Sequence, residues 1–248
     1  MRGSVRYRQI AVGLLLVSLS VFFYALHFAI FRDAHHILLY LLGDIAFVFV
    51  EVLIVTLIIH QVLSEREKRA MLGKLNMVIG AFFSEVGTDL LKYFNAFDNN
   101  SDKISNHLLI DKNWSKKHFR KIESILKNRD YAIDINKGDL AGLGSFLIDK
   151  RGFLLRLLEN PNLLEHKSFT ELLWAVFHFT EELSHRKRLD GLADSDYEHL
   201  AGDIKRAYAL LTREWLFYME HLMADYPYLF SLSVRTNPFD PEASVEIR

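Results

Sequence analysis

Residues Gln9 to Phe31 form a run of 23 residues without one Asp, Glu, Lys or Arg. A helix rising about 1.5 Å per residue over that length spans a hydrocarbon core of about 30 Å. A second apolar run, Ile37 to Leu63, is interrupted only by Asp44 and Glu51. The five residues Arg32 to His36 separate the runs, so the sequence predicts a tight antiparallel hairpin. No other feature limits the fold as strongly. A cleaved signal sequence explains the first run less well, because the run is long, lacks a convincing small-x-small site and is followed at once by a second span.

The flanks set the expected orientation. Arg2, Arg6 and Arg8 precede the first run, and Arg66, Lys68, Arg69 and Lys74 follow the second. The intervening turn carries one Arg and one Asp. Positive-inside bias predicts both termini on the cytoplasmic side of an inner membrane, with the turn outside.

Asp44 and Glu51 are seven residues apart, about 700° of helical rotation, so both carboxylates project from nearly one face. An ionised carboxylate near mid-bilayer costs about 2.5–3.5 kcal/mol on insertion scales. That face must meet protein or water, and a lone hairpin encloses neither, which predicts a homo-oligomer or an unidentified protein partner. Two chemistries then stay open. Rings of Asp44 and Glu51 would line an ion path, giving a cation- or proton-conducting, channel-like assembly. Alternatively the protonated acids are interhelical hydrogen-bonding contacts, with Tyr24, Ser20 or His27 as partners. In that case the hairpin anchors a scaffold or sensor that acts through its helical domain.

Beyond the second run, Leu75, Ile79, Phe82, Val86, Leu90, Phe94 and Phe97 recur at helical spacing, predicting an amphipathic stalk helix over 64–97. Gly73, Gly80 and Gly87 fall at heptad intervals on another face. Each costs about 1 kcal/mol of helix propensity, so either close approach of a neighbouring helix or a hinge should compensate.

The run LLGDIAFVFVEVLIVTLIIHQVLSEREKRAMLGKLNMVIGAFFSEVG (41–87), with RTNPFDP at 235–241, resembles a group of uncharacterised prokaryotic integral membrane proteins. Their plan is an N-terminal two-helix hairpin followed by a helical cytoplasmic region. The likeness covers about 50 of the 248 residues and implies a bacterial or archaeal membrane. It transfers no activity, cofactor or catalytic residue.

The expected organisation is all-α: a hairpin over 1–63 (spans 9–31 and 37–63), the stalk helix 64–97, a cytoplasmic helical domain 98–233 and a loose tail 234–248. Asp98 to Asn113 reads as a linker. Lys112 to Arg129 holds seven Lys or Arg against one Glu, and Lys116, Lys117, Arg120 and Lys121 on a short helix suit anionic lipid headgroups or an ordinary solvated face. Further helices are predicted over Asp139 to Glu159, from a capping box at Ser168 to Arg188, and from a second box at Ser195 to Asp225.

Enzymatic signals are thin. Glu182 and His185 form an E-x-x-H step on a helix, with Glu214, His221 and Asp225 as a partner stripe, but the second E-x-x-H of a di-metal bundle is missing. His178, Glu182 and His185 oppose the apolar stripe of their own helix, so a solvated face is the cheaper account. Gly138, Gly142 and Gly144 have no preceding strand or P-loop lysine. The chain has no cysteine, which excludes disulfides, thiol catalysis and Cys-ligated metals. Its 30 cationic and 31 anionic side chains give no global case for nucleic-acid binding. No cofactor and no enzyme activity are expected.

Overall fold

The structure, a computed structural model, describes residues 2–161, 163 and 166–246, with side chains for all of these except 2–6, 67–72 and 74. The side chains of Arg2, Arg6, Lys68, Arg69 and Lys74, used above for orientation, therefore lie outside the described residues. The chain divides into two compact units, Met1–Lys68 and Arg69–Arg248. Among the described residues both are helical, with no strand and one isolated antiparallel bridge, Asp98 to Ile133.

The first unit contains α1 (Arg2–Phe31) and the first part of α2 (Ala34–Phe82). The connection is shorter than the five residues expected. Arg32 takes a left-handed conformation, φ 49°, and its N–H closes on Phe28 O at 2.9 Å. Asp33 Oδ1 then accepts the His36 N–H at 3.1 Å, so His35 and His36 lie inside the first turn of α2. Both helices are long and apolar enough to cross a membrane, and none of their apolar windows is buried within the chain.

The second unit is built on two long seams. Leu75, Ile79, Phe82, Val86, Leu90, Phe94 and Phe97 are all buried, so the apolar face expected of the stalk helix packs into the core of the helical domain from Leu75 onward. Its helix is not uniform. Between α2 and α3 (Thr88–Phe97) the residues Phe83–Gly87 form a π-helical turn, in which the Thr88 N–H and hydroxyl both donate to Phe83 O. The extra residue per turn breaks the heptad register between Gly80 and Gly87. The three glycines meet three different environments. Gly73 faces open space, a Cβ on Gly80 would lie 3.7 Å from the Tyr218 ring, and one on Gly87 would fall 2.6 Å from Phe83. Of the three, among the described residues, only Gly80 is approached by another helix, the one that carries Tyr218.

Asp98 to Asn113 is not a linker throughout. It contains α4 (Ser101–Leu108), which buries Ile104 and Leu108. Basic helix α5 (Lys116–Lys127) starts at a capping box between Ser115 and His118 and buries Phe119, Ile122 and Leu126. Helix α6 (Leu140–Leu158) is capped by Asp139, which accepts from Gly142 N, so the glycines there serve a helix start. Helix α7 (Lys167–Ser184) begins two residues before the expected box. His166 is its N-cap, accepting from Phe169 N at 3.2 Å, and the helix ends short of Arg188.

The long α8 (Asp194–Asp225) packs against α5 and α7 and carries the second seam, Leu200, Ile204, Tyr208, Leu211, Trp215 and Leu222. It starts after Ala193, ahead of the Ser195 box and without a side-chain cap. Pro227 does not end the helical region but opens α9 (Pro227–Arg235), a position that needs no N–H donor. The expected loose tail is anchored. Asn237 and Phe239 are buried, Asn237 Nδ2 donates to Leu108 O at 2.8 Å, and Phe239 packs edge-on against Trp215.

Candidate functional site

In the hairpin the two acids have unlike surroundings. The Tyr24 hydroxyl donates to Asp44 Oδ2 at 3.4 Å, a long hydrogen bond to the other helix of the pair. Glu51 is exposed and has no hydrogen bond or ion pair among the described residues. Asp44 therefore has a partner within the hairpin, whereas Glu51 has none. On α5, Lys116, Lys117, Arg120 and Lys121 are all exposed, and none is engaged by an acidic side chain among the described residues.

The densest polar constellation lies in the helical domain, between α7 and the start of α8. These helices are antiparallel neighbours joined by a loop over 185–193, in which Gly191 supplies a left-handed turn at φ +69°. Each helix contributes a histidine and an acid four residues apart, which stacks the two on one face. His178 and Glu182 come from α7, and His199 and Asp203 from α8. Asp203 Oδ2 stands 3.6 Å from His178 Nε2 and 3.5 Å from His199 Nε2. Glu182 closes the group, with Oε1 4.0 Å from His178 Nε2 and Oε2 3.8 Å from His199 Nε2.

An outer layer orients these groups. Arg186 donates from Nη1 to Glu182 Oε2 at 2.6 Å and from Nη2 to Asp196 Oδ1 at 2.9 Å. That guanidinium holds the Glu182 carboxyl below its usual range. Arg206 reaches Asp203 Oδ1 at 3.4 Å. The other oxygen, Oδ2, is buried and accepts no hydrogen bond among the described residues. Four such groups can hold a proton or a cation between them.

The E-x-x-H step is not assembled. His185 turns away, its Nδ1 2.8 Å from Glu181 O, and only Glu182 of that pair joins the cluster. The expected partner stripe is also dispersed. Glu214 is buried beside Ser168, His166 and Arg213, with burial raising its pKa. His221 instead pairs with Asp225 at 2.8 Å and with Asn76. His199 and Asp203 escaped sequence reasoning, although the matching His-x-x-x-acid spacing on two successive helices was there to be read.

These features define an all-α protein with an N-terminal pair of apolar helices and a C-terminal helical domain. The chain belongs to the MJ1433 family: residues 4–63 match the model described as MJ1433, N-terminal helical domain, and residues 71–235 match Uncharacterized protein MJ1433, C-terminal helical domain. It is 47% identical over 240 residues to Uncharacterized protein MJ1433 of Methanocaldococcus jannaschii, covering 97% of this chain and 96% of that one. No solved structure matches.

Proposed function

We propose that the protein is a two-span membrane protein that self-associates through its hairpin and works as a scaffold or sensor through its helical domain. The observation that carries this reading is Glu51, a carboxylate with no partner among the described residues, at the middle of the 37–63 run, where the apolar side chains after Ile37 are all exposed. Exposed apolar surface on this scale is untenable in water and ordinary in lipid. An unpartnered carboxylate in lipid is costly, and a second hairpin meeting it would relieve that cost. The charge pattern of the flanks favours an inner membrane with both termini cytoplasmic, and the exposed cations of α5 suit anionic headgroups.

The scaffold or sensor reading takes precedence over conduction because Asp44 has a hydrogen-bond partner inside its own hairpin, which favours a packing role for that acid. Conduction through a single Glu51 ring remains the second reading, supported by the same unpartnered carboxylate.

The mass of the particle in nanodiscs tests both. Self-association predicts a discrete oligomer that persists in Glu51→Gln, which can still hydrogen-bond, and dissociates in Glu51→Leu. A monomer, or identical behaviour of both variants, refutes it. Cation or proton flux into liposomes that is lost in a still-oligomeric Glu51→Gln would establish conduction in place of the scaffold reading.

A further inference from the structure

We infer that His178, Glu182, His199 and Asp203 form a binding site for a divalent transition metal of the zinc class, bridging α7 and α8. Each imidazole Nε2 faces both carboxylates: Asp203 Oδ2 lies 3.6 and 3.5 Å from His178 and His199, and Glu182 presents Oε1 to His178 at 4.0 Å and Oε2 to His199 at 3.8 Å. Zinc bonded to nitrogen and oxygen at about 2.0–2.2 Å in a tetrahedron sets neighbouring ligand atoms about 3.3 Å apart. His178, Glu182 and His199 each place a ligand atom within 4.8 Å of the other two, and bringing Asp203 Oδ2 in as the fourth ligand takes rotation of the Glu182 and Asp203 carboxylates together with a shortening of each contact.

Asp203 supplies the independent indication. Its side chain is only 3% exposed, yet Oδ2 accepts no hydrogen bond and points at both histidines. A buried carboxylate oxygen left this way is costly unless something cationic satisfies it. Protonated histidines would be the alternative, but a charge-assisted N–H···O bond draws its atoms to about 2.7–2.9 Å, and none of these contacts is that short.

The donor set selects the metal class. Calcium and magnesium take oxygen ligands, whereas two imidazoles with two carboxylates suit zinc and its neighbours. Glu182 and Asp203 supply two anionic ligands, with Arg186 and Arg206 offsetting part of their charge. His178 and His199 are 47% and 51% exposed, which leaves an entry path. Four protein ligands occupy all four tetrahedral positions, so the site is structural or sensory and holds no open position for a substrate. It ties the two helices together across the 185–193 loop, and Arg186 and Arg206 position the carboxylates from outside.

The test uses the full chain in nanodiscs, freed of metal with a chelator and titrated with zinc and, separately, with cobalt(II). The expected result is one zinc per chain and the intense visible absorption of four-coordinate cobalt. His199→Ala, at a half-exposed position where the fold tolerates the change, and Asp203→Asn should each weaken binding by more than the about 10–100-fold typical of losing an outer-shell partner. His185→Ala should bind as the parent does. Substoichiometric zinc in the parent, the weak spectrum of six-coordinate cobalt, or unchanged affinity in His199→Ala would overturn the assignment. None of these readouts depends on whether the hairpin assembles, so this site and the proposed assembly succeed or fail separately.

Discussion

Arg129 donates from Nη2 to Asp98 Oδ2 at 2.6 Å across 31 residues of sequence, and the carboxylate it meets is wholly buried. The same nitrogen reaches Asn100 O at 2.8 Å, and the guanidinium lies over the Tyr131 ring, 5.1 Å from its centroid. Asp98 Oδ1 accepts from Asn100 N, so the pair ties the end of α3 to the strand-like segment after α5. Removing one partner leaves the other buried and uncompensated. Arg129→Ala should therefore cost about 3–5 kcal/mol. The three tryptophans, Trp114, Trp174 and Trp215, all lie in the 69–248 unit, so fluorescence during denaturant unfolding of the full chain reports on that unit alone. A paired apolar replacement, Asp98→Leu with Arg129→Met, should cost clearly less than the single change.

Glu214 gives a pH-dependent prediction. Its carboxyl is buried on α8, and desolvation raises its pKa above the usual 4.5, partly opposed by the Ser168 hydroxyl. The folded state thus holds this proton more tightly than the unfolded chain does. Its contribution to stability is full below the unfolded value and is lost as pH rises through the raised folded value. Glu214→Gln should match the parent in stability at acid pH and exceed it at neutral pH. Unfolding of both proteins across that range checks the sign, and a neutral-pH loss in Glu214→Gln would contradict it.

The C-terminal segment is part of the core. Phe239 packs at 5.1 Å against Trp215, and Asn237 satisfies the C-terminal carbonyl of α4 at Leu108. Phe239→Ala should destabilise the domain by about 3–5 kcal/mol, as for other buried aromatic deletions. Truncation after Thr236 should be at least as damaging, with a shift in Trp215 emission.

Within the hairpin, the Tyr24 to Asp44 contact is expected to be modest. In the membrane setting proposed above, interhelical hydrogen bonds average about 0.6 kcal/mol, and this one is long. Tyr24→Phe should leave particle mass unchanged and slightly lower the thermal stability of the particle. Disassembly of the particle by Tyr24→Phe would show that Tyr24 bonds outside its own chain.

How legible each feature was depends on how local its cause is. The seams through Leu75 to Phe97 and Leu200 to Leu222 were readable because a 3.6-residue period leaves its mark on any chain that buries one helix face. The apolar runs were readable for the same reason of local composition. Helix α4 was not, because its apolar content reduces to Ile104 and Leu108 among polar residues that suit a turn equally well. The Ser168 and Ser195 boxes misplaced both N-caps by two residues: His166 caps the first helix by accepting from Phe169 N, and the second starts after Ala193 with no side-chain cap.

From sequence alone came the all-α class, the hairpin of two apolar helices and the identity of the core-facing stripes, because each follows from residues within a few turns of one another. Only the tertiary structure decided that the π-helical turn at Phe83–Gly87 divides the glycine register, that Phe239 returns to Trp215, and that His178 and Glu182 face His199 and Asp203. Those relationships depend on which helix faces which and at what register, and helix periodicity carries no information about either.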